Sequence, residues 1–206
     1  MDQAPRDEAP RVIAADRKAE AVAERVEQAL LDMPQSARKA ASKTPEARVV
    51  EGPLGHASSY DSKTKTLSLA PDADAAEILH EYFHHIDYSL ATHGAPTVSI
   101  DEHSLIGKQI RREIARFGNM GEALQEIERR TAGDLNLEDL FGALTFNKIG
   151  GGHPTEYFIE NWGSQYREIF ANLGSLFSSG NRWSRVKAVA PELAAAFETW
   201  ISAESK

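Results

Sequence analysis

His80-Glu81-Tyr82-Phe83-His84-His85-Ile86-Asp87 is the most informative segment of the chain, and its first five residues fit H-E-x-x-H. On an α-helix, residues four apart stand almost one above the other, so His80 and His84 can reach one metal ion. Glu81 follows one residue later, roughly 100° round the helix, beside the metal instead of on it. That is the place for a general base acting on a metal-activated water. Asp87 returns to the histidine face one turn beyond His84 and suits a hydrogen-bond partner for a ligand imidazole.

The flanking residues predict a helix without the motif. Asp74-Ala-Ala-Glu77 has the form of a capping box. Leu79, Tyr82, Phe83, Ile86 and Leu90 then follow the stripe of a core-facing helix. Stripe and histidine face lie side by side, so one helix can pack on a core and present ligands together. The competing account is a fortuitous motif on a solvated helix face.

The chain of 206 residues is enough for one sizeable domain, or a domain with an appendage. Hydrophobic residues at 41% and charged ones at 26% are ordinary for a globular protein. A net charge of −8 argues against nucleic acid or an anionic membrane as partner. Without cysteine there is neither a disulfide nor a thiolate metal site, which fits a reducing cytoplasm. No apolar run is long enough to span a bilayer, and no signal-peptide pattern is visible at the start.

Residues 1–15 read as a loose, Pro-rich and charged lead-in. Asp16 to Asp32 turns helical, Met33-Pro34 closes that helix, and Gln35 to Glu46 reads as a polar linker. The expected division is therefore an N-terminal helix and flexible linker over 1–46, with the main domain over 47–206. Arg48-Val49-Val50 suggests a short strand, and Ala57 to Leu69 a hairpin turning at Asp61-Ser62-Lys63. A strand beside such a motif helix is where an extended peptide can be held by edge pairing; a purely structural hairpin is the other account. Helices are predicted over Ser104–Phe117, Gly121–Thr131, Leu135–Leu144, Ser164–Phe177 and Pro191–Ser202, with a Gly-rich loop around Gly150-Gly151-Gly152. The fold class is α+β, mainly helical, with a small antiparallel sheet.

Catalytic zinc normally takes three protein ligands. Position 90 is Leu, where a metzincin would place its third histidine. A glutamate on a later helix remains, and Glu156, Glu160 and Glu168 are the candidates. Glu168 is favoured, because Ile169, Phe170, Leu173 and Phe177 can pack its helix on the core and aim the carboxylate at the motif. Asn172, one turn on, could hydrogen-bond a ligand histidine. His153 and Tyr157 flank the Gly-rich loop as candidates for oxyanion stabilisation or substrate contact, with Tyr166 competing for the tyrosine role. A loop histidine and a packed tyrosine are the plainer accounts.

Five pieces carry a family resemblance: Ile78 to Asp87, Asp139 to Thr145, Gly152 to Tyr157, Arg167 to Leu173 and Ala190 to Phe197. With them, the stretch from Tyr60 to Ile201 resembles the C-terminal zincin-like domain of phage head-morphogenesis proteins of the Mu-like minor head type. More distantly it is similar to metallopeptidases of the anthrax lethal factor kind. Both resemblances imply zinc on His80, His84 and Glu168, with Glu81 as base. Tyr82 and Phe83 are bulkier than such motifs often carry, and Asn172 stands where the lethal-factor pattern has an acid.

The expected function is a zinc-dependent metallopeptidase acting on a peptide or protein substrate. One alternative is a non-catalytic zinc-binding domain of a phage capsid or portal assembly, with capsid or portal proteins as partners. A second is a secreted effector protease. The resemblance implies a bacterial cytoplasm or a phage virion as the setting.

Overall fold

Alternation and helical periodicity resolve into ten α-helices and four short strands in the computed structural model, which describes residues 10–206. Residues 1–9 of the expected lead-in lie outside the described residues. The described residues are α+β, about 59% helical, with one small mixed sheet.

The sheet is built from β1 (Val12–Ala14), β2 (Ala47–Glu51), β3 (Ser59–Asp61) and β4 (Thr66–Leu69) in the order β1-β2-β4-β3. β3 and β4 form the expected antiparallel hairpin, with Tyr60 opposite Leu67. The sheet as a whole is mixed, not antiparallel. β1 runs parallel to β2, and β2 parallel to β4, with Val49 opposite Leu67. Parallel neighbours need crossovers, and α1 (Glu20–Asp32), α2 (Gln35–Ser42) and their connections supply the first.

That crossover corrects the reading of the N-terminal region. Val12 to Ala14 is a strand of the sheet, not a loose lead-in. The expected linker contains a helix, α2, whose Ala37, Ala40 and Ala41 are fully buried. α2 packs on α10 (Pro191–Glu204), and α1 packs on the motif helix, through one continuous apolar core. Small alanines at helical spacing can seat a helix closely, yet they give a weak hydropathy stripe. Residues 10–46 thus share their core with the rest of the chain.

The motif helix is α3 (Ala75–Ser89), capped by Asp74, whose Oδ1 accepts from the Glu77 N–H at 2.9 Å. Ile78, Leu79, Tyr82, Phe83 and Ile86 are buried along it. Its main partner is α8 (Ser164–Phe177), an almost wholly buried helix that also packs on α6 (Leu135–Thr145). Gly174 lets α8 approach closely, since a methyl there would overlap the Phe83 ring. Phe83, Phe170, Phe197 and Trp200 fill the space between α3, α8 and α10 with tilted and edge-on ring contacts. α4 (Leu105–Gly118) and α5 (Ala123–Thr131) follow the sequence expectation, whereas the short α7 (Thr155–Glu160) is not anticipated by it. Nor is α9 (Gly180–Val189), because only Trp183 and Val186 of its ten residues are buried and no stripe marks it. Among the described residues, no helix is long and apolar enough to cross a membrane.

Candidate metal centre

The crossing of α3 and α8 brings together side chains that are far apart in sequence. His80 Nε2 stands 3.2 Å from His84 Nε2, one turn along α3. From α8, Glu168 Oε2 lies 3.2 Å from His80 Nε2 and 3.6 Å from His84 Nε2. Zinc binds such donors at about 2.0–2.1 Å in tetrahedral geometry, which puts neighbouring donors roughly 3.3 Å apart. The observed triangle fits that spacing. This buried group can hold a metal ion. Of the three glutamates considered, Glu168 is the one brought to the histidines, while Glu156 and Glu160 are exposed on α7.

The electrostatics follow from burying two imidazoles beside one carboxylate. Burial works against a proton on His80, but the hydrogen bond and charge of Glu168 outweigh it and lift its pKa to about 9. Burial acts against ionising Glu168 as well, yet His84 and the hydrogen bonds from His153, His80 and His84 hold it well below the usual range. The group is a compact, charge-matched set of donors. Glu81 differs: it is 7% exposed, and it makes no hydrogen bond or ion pair among the described residues. Burial pushes its pKa up, against the lowering effect of His80 and His84.

A cleft of about 660 Å³ opens over the triad, with Glu81 in its wall. One side is formed by the β3 edge at Ser58, Ser59 and Tyr60. The other comes from Asp139 on α6 and the loop carrying His153. Gly152 has a φ of +90°, a conformation suited to glycine, and its backbone lies against Asp139. The loop delivers His153, whose Nε2 is 3.5 Å from Glu168 Oε2. Tyr157 stacks on His153 with ring centroids 4.1 Å apart and donates its hydroxyl to Glu168 Oε1 at 3.0 Å. Both residues reach the centre. Tyr166 is instead covered by the Arg111 guanidinium, outside the cleft.

Two expected supporting residues do something else. Asp87 does not hydrogen-bond a ligand imidazole; its two oxygens accept from the N–H and the hydroxyl of Ser99, each at 2.7 Å. The carboxylate holds the 97–101 segment against α3, and burial pushes its pKa up to about 6 despite the Ser99 bonds. Asn172 lines the cleft but makes no hydrogen bond to a ligand histidine. Extra residues also emerge. Asp139 lines the cleft, and its charge helps to raise the pKa of His80. It lies within one of the pieces that carry the family resemblance, but no spacing rule assigns it a role. Tyr60 and His85 meet across the β3–α3 contact at 3.0 Å.

No protein-family model matches this chain, and neither a curated protein nor a solved structure matches it. Fold and site define an α+β protein with a candidate His₂Glu metal centre.

Proposed function

We propose that this protein is a zinc-dependent metallopeptidase with a zincin-like fold, of the phage head-morphogenesis kind. The observation that carries the reading is the closed triangle of His80, His84 and Glu168 with an unpaired Glu81 beside it. Two imidazole nitrogens and one carboxylate oxygen form a donor set that suits zinc, whose binding would displace the proton held on His80.

Zinc bound there would polarise a carbonyl and acidify water. Glu81, unpaired beside the triad, would take a proton from the attacking water and return it to the leaving amine, and a raised carboxyl pKa supports both halves of the transfer. Tyr157 and His153 border the same space, and on turning from Glu168 their hydroxyl and ring nitrogen could donate to the oxygen of a reacting carbonyl. The β3 edge borders the cleft and suits an extended peptide held by backbone pairing.

The deciding experiment pairs zinc content by mass spectrometry with cleavage of a randomised peptide library. Glu81→Gln is expected to retain about one zinc per chain and to lose about 100-fold or more of the cleavage rate, within the range for general-base loss. Unchanged cleavage in that variant would remove the peptidase reading. A second reading draws on the location of the triad between α3 and α8, where a metal would cross-link the two central helices. In that structural role, chelation melts the protein while Glu81→Gln changes nothing.

A further inference from the structure

His85 follows the second motif histidine and is fully buried. Its Nε2 lies 2.8 Å from the carbonyl oxygen of Pro45, which can only accept, so this nitrogen carries a proton. In the neutral ring Nδ1 is then a bare acceptor. The Tyr60 hydroxyl stands 3.0 Å from it, with Ser89 Oγ farther off at 3.5 Å. A directed chain results: Tyr60 donates to His85, and His85 donates to Pro45. It joins the edge strand β3, the metal helix α3 and the residues leading into β2.

β3 needs such support. It is three residues long and, among the described residues, paired on one side alone, through Ser59, Tyr60 and Asp61 to β4. One other side-chain tether runs to α3, where Glu77 Oε1 accepts from the Ser58 N–H at 3.2 Å. Glu77 precedes His80 and His85 follows His84, so the two tethers bracket the motif residues. They stand eight helical steps apart, about 12 Å at 1.5 Å per residue. The edge strand is thereby fixed to the segment of helix that carries His80, Glu81 and His84.

We propose that Tyr60 and His85, with Glu77 at the other end, are positioning residues that clamp edge strand β3 to the metal helix. The clamp sets where a paired peptide lies over the triad. This last step rests on the peptidase reading; the clamp itself does not. Ring packing supports the same geometry, since Tyr60 lies edge-on to His85 at 5.5 Å and beside Tyr88 at 5.9 Å.

Tyr60→Phe removes the hydroxyl and keeps the ring. Amide hydrogen exchange of the full chain is expected to quicken about tenfold over residues 59–61, the loss of a single hydrogen bond, with zinc content unchanged. On the best-cleaved peptide of the library, KM should rise several-fold while kcat stays within twofold. Exchange at wild-type rates would overturn the clamp, whatever the peptidase assays show. Faster exchange with a fallen kcat and an unchanged KM would overturn the positioning role and put Tyr60 in the chemistry. Should cleavage survive Glu81→Gln, the peptidase reading fails, and the exchange result alone then decides the clamp. His85→Gln gives a second variant, expected to quicken the same amides.

Discussion

Asp87 shows how one buried carboxylate can write a pH dependence into a fold. Its ordinary pKa of 3.8 rises to about 6 in the folded chain. Between those values the folded protein keeps a proton that the unfolded chain has lost, so stability falls as pH rises through the window. Above about pH 6 the full cost is present, on the order of 3 kcal/mol. Asp87→Asn can still accept from the Ser99 N–H and should flatten Tm against pH between 4 and 7. Asp87→Ala strands the Ser99 N–H, while the Ser99 hydroxyl can turn to Thr97 Oγ1, and should cost about 1–3 kcal/mol in urea unfolding at neutral pH. At the centre itself, His84→Ala and Glu168→Ala are both expected to lose zinc, read as metal per chain by mass spectrometry. Zinc retained in Glu168→Ala would remove it as third ligand.

The α3–α8 pair is the element on which the site depends, because each helix supplies part of the triad. Gly174 sets their spacing. Gly174→Ala would press a methyl into the Phe83 ring, an overpacking error of about 1–3 kcal/mol. The expected outcome is a lower Tm together with weaker zinc retention on dialysis, since any separation of the helices opens the triangle. Metal should in turn stabilise the pair. Free zinc at about 1,000 times its Kd adds roughly 4 kcal/mol. For a chain of this size that is on the order of 10 °C in Tm on comparing chelated with zinc-loaded protein.

On the scale of the molecule, the N-terminal segment belongs to the core. β1 completes the sheet beside β2, α1 covers β2 and α3 with Val22, Val26 and Leu30, and α2 seats its alanines on α10. Deleting residues 1–46 would uncover Val49, Leu67 and the buried face of α10. The fragment 47–206 is expected to lose cooperative unfolding and to bind a hydrophobic dye, whereas a freely folding domain over those residues would melt sharply without it. The same molecule-wide packing explains why α2 and α9 escape a reading by periodicity. Their buried faces consist of alanines, or of Trp183 and Val186 alone, and become apolar seats only once α10 and α8 are there to receive them.

What the amino-acid sequence determines by itself is local. The α3 helix, its Asp74 cap, its apolar stripe and the shared face of His80 and His84 follow from spacing, because helical geometry repeats every few residues. Glu168 was legible one step further, since its helix carries apolar neighbours that must turn inward. The tertiary structure alone decided the rest: the parallel pairing of β1 and β2, the turn of Asp87 to Ser99, the arrival of Asp139 at the cleft, and the Tyr60–His85–Pro45 chain. Each of these joins groups through packing of distant segments. A hydrogen bond forms or fails over a few tenths of an ångström, and no sequence periodicity specifies distances that fine.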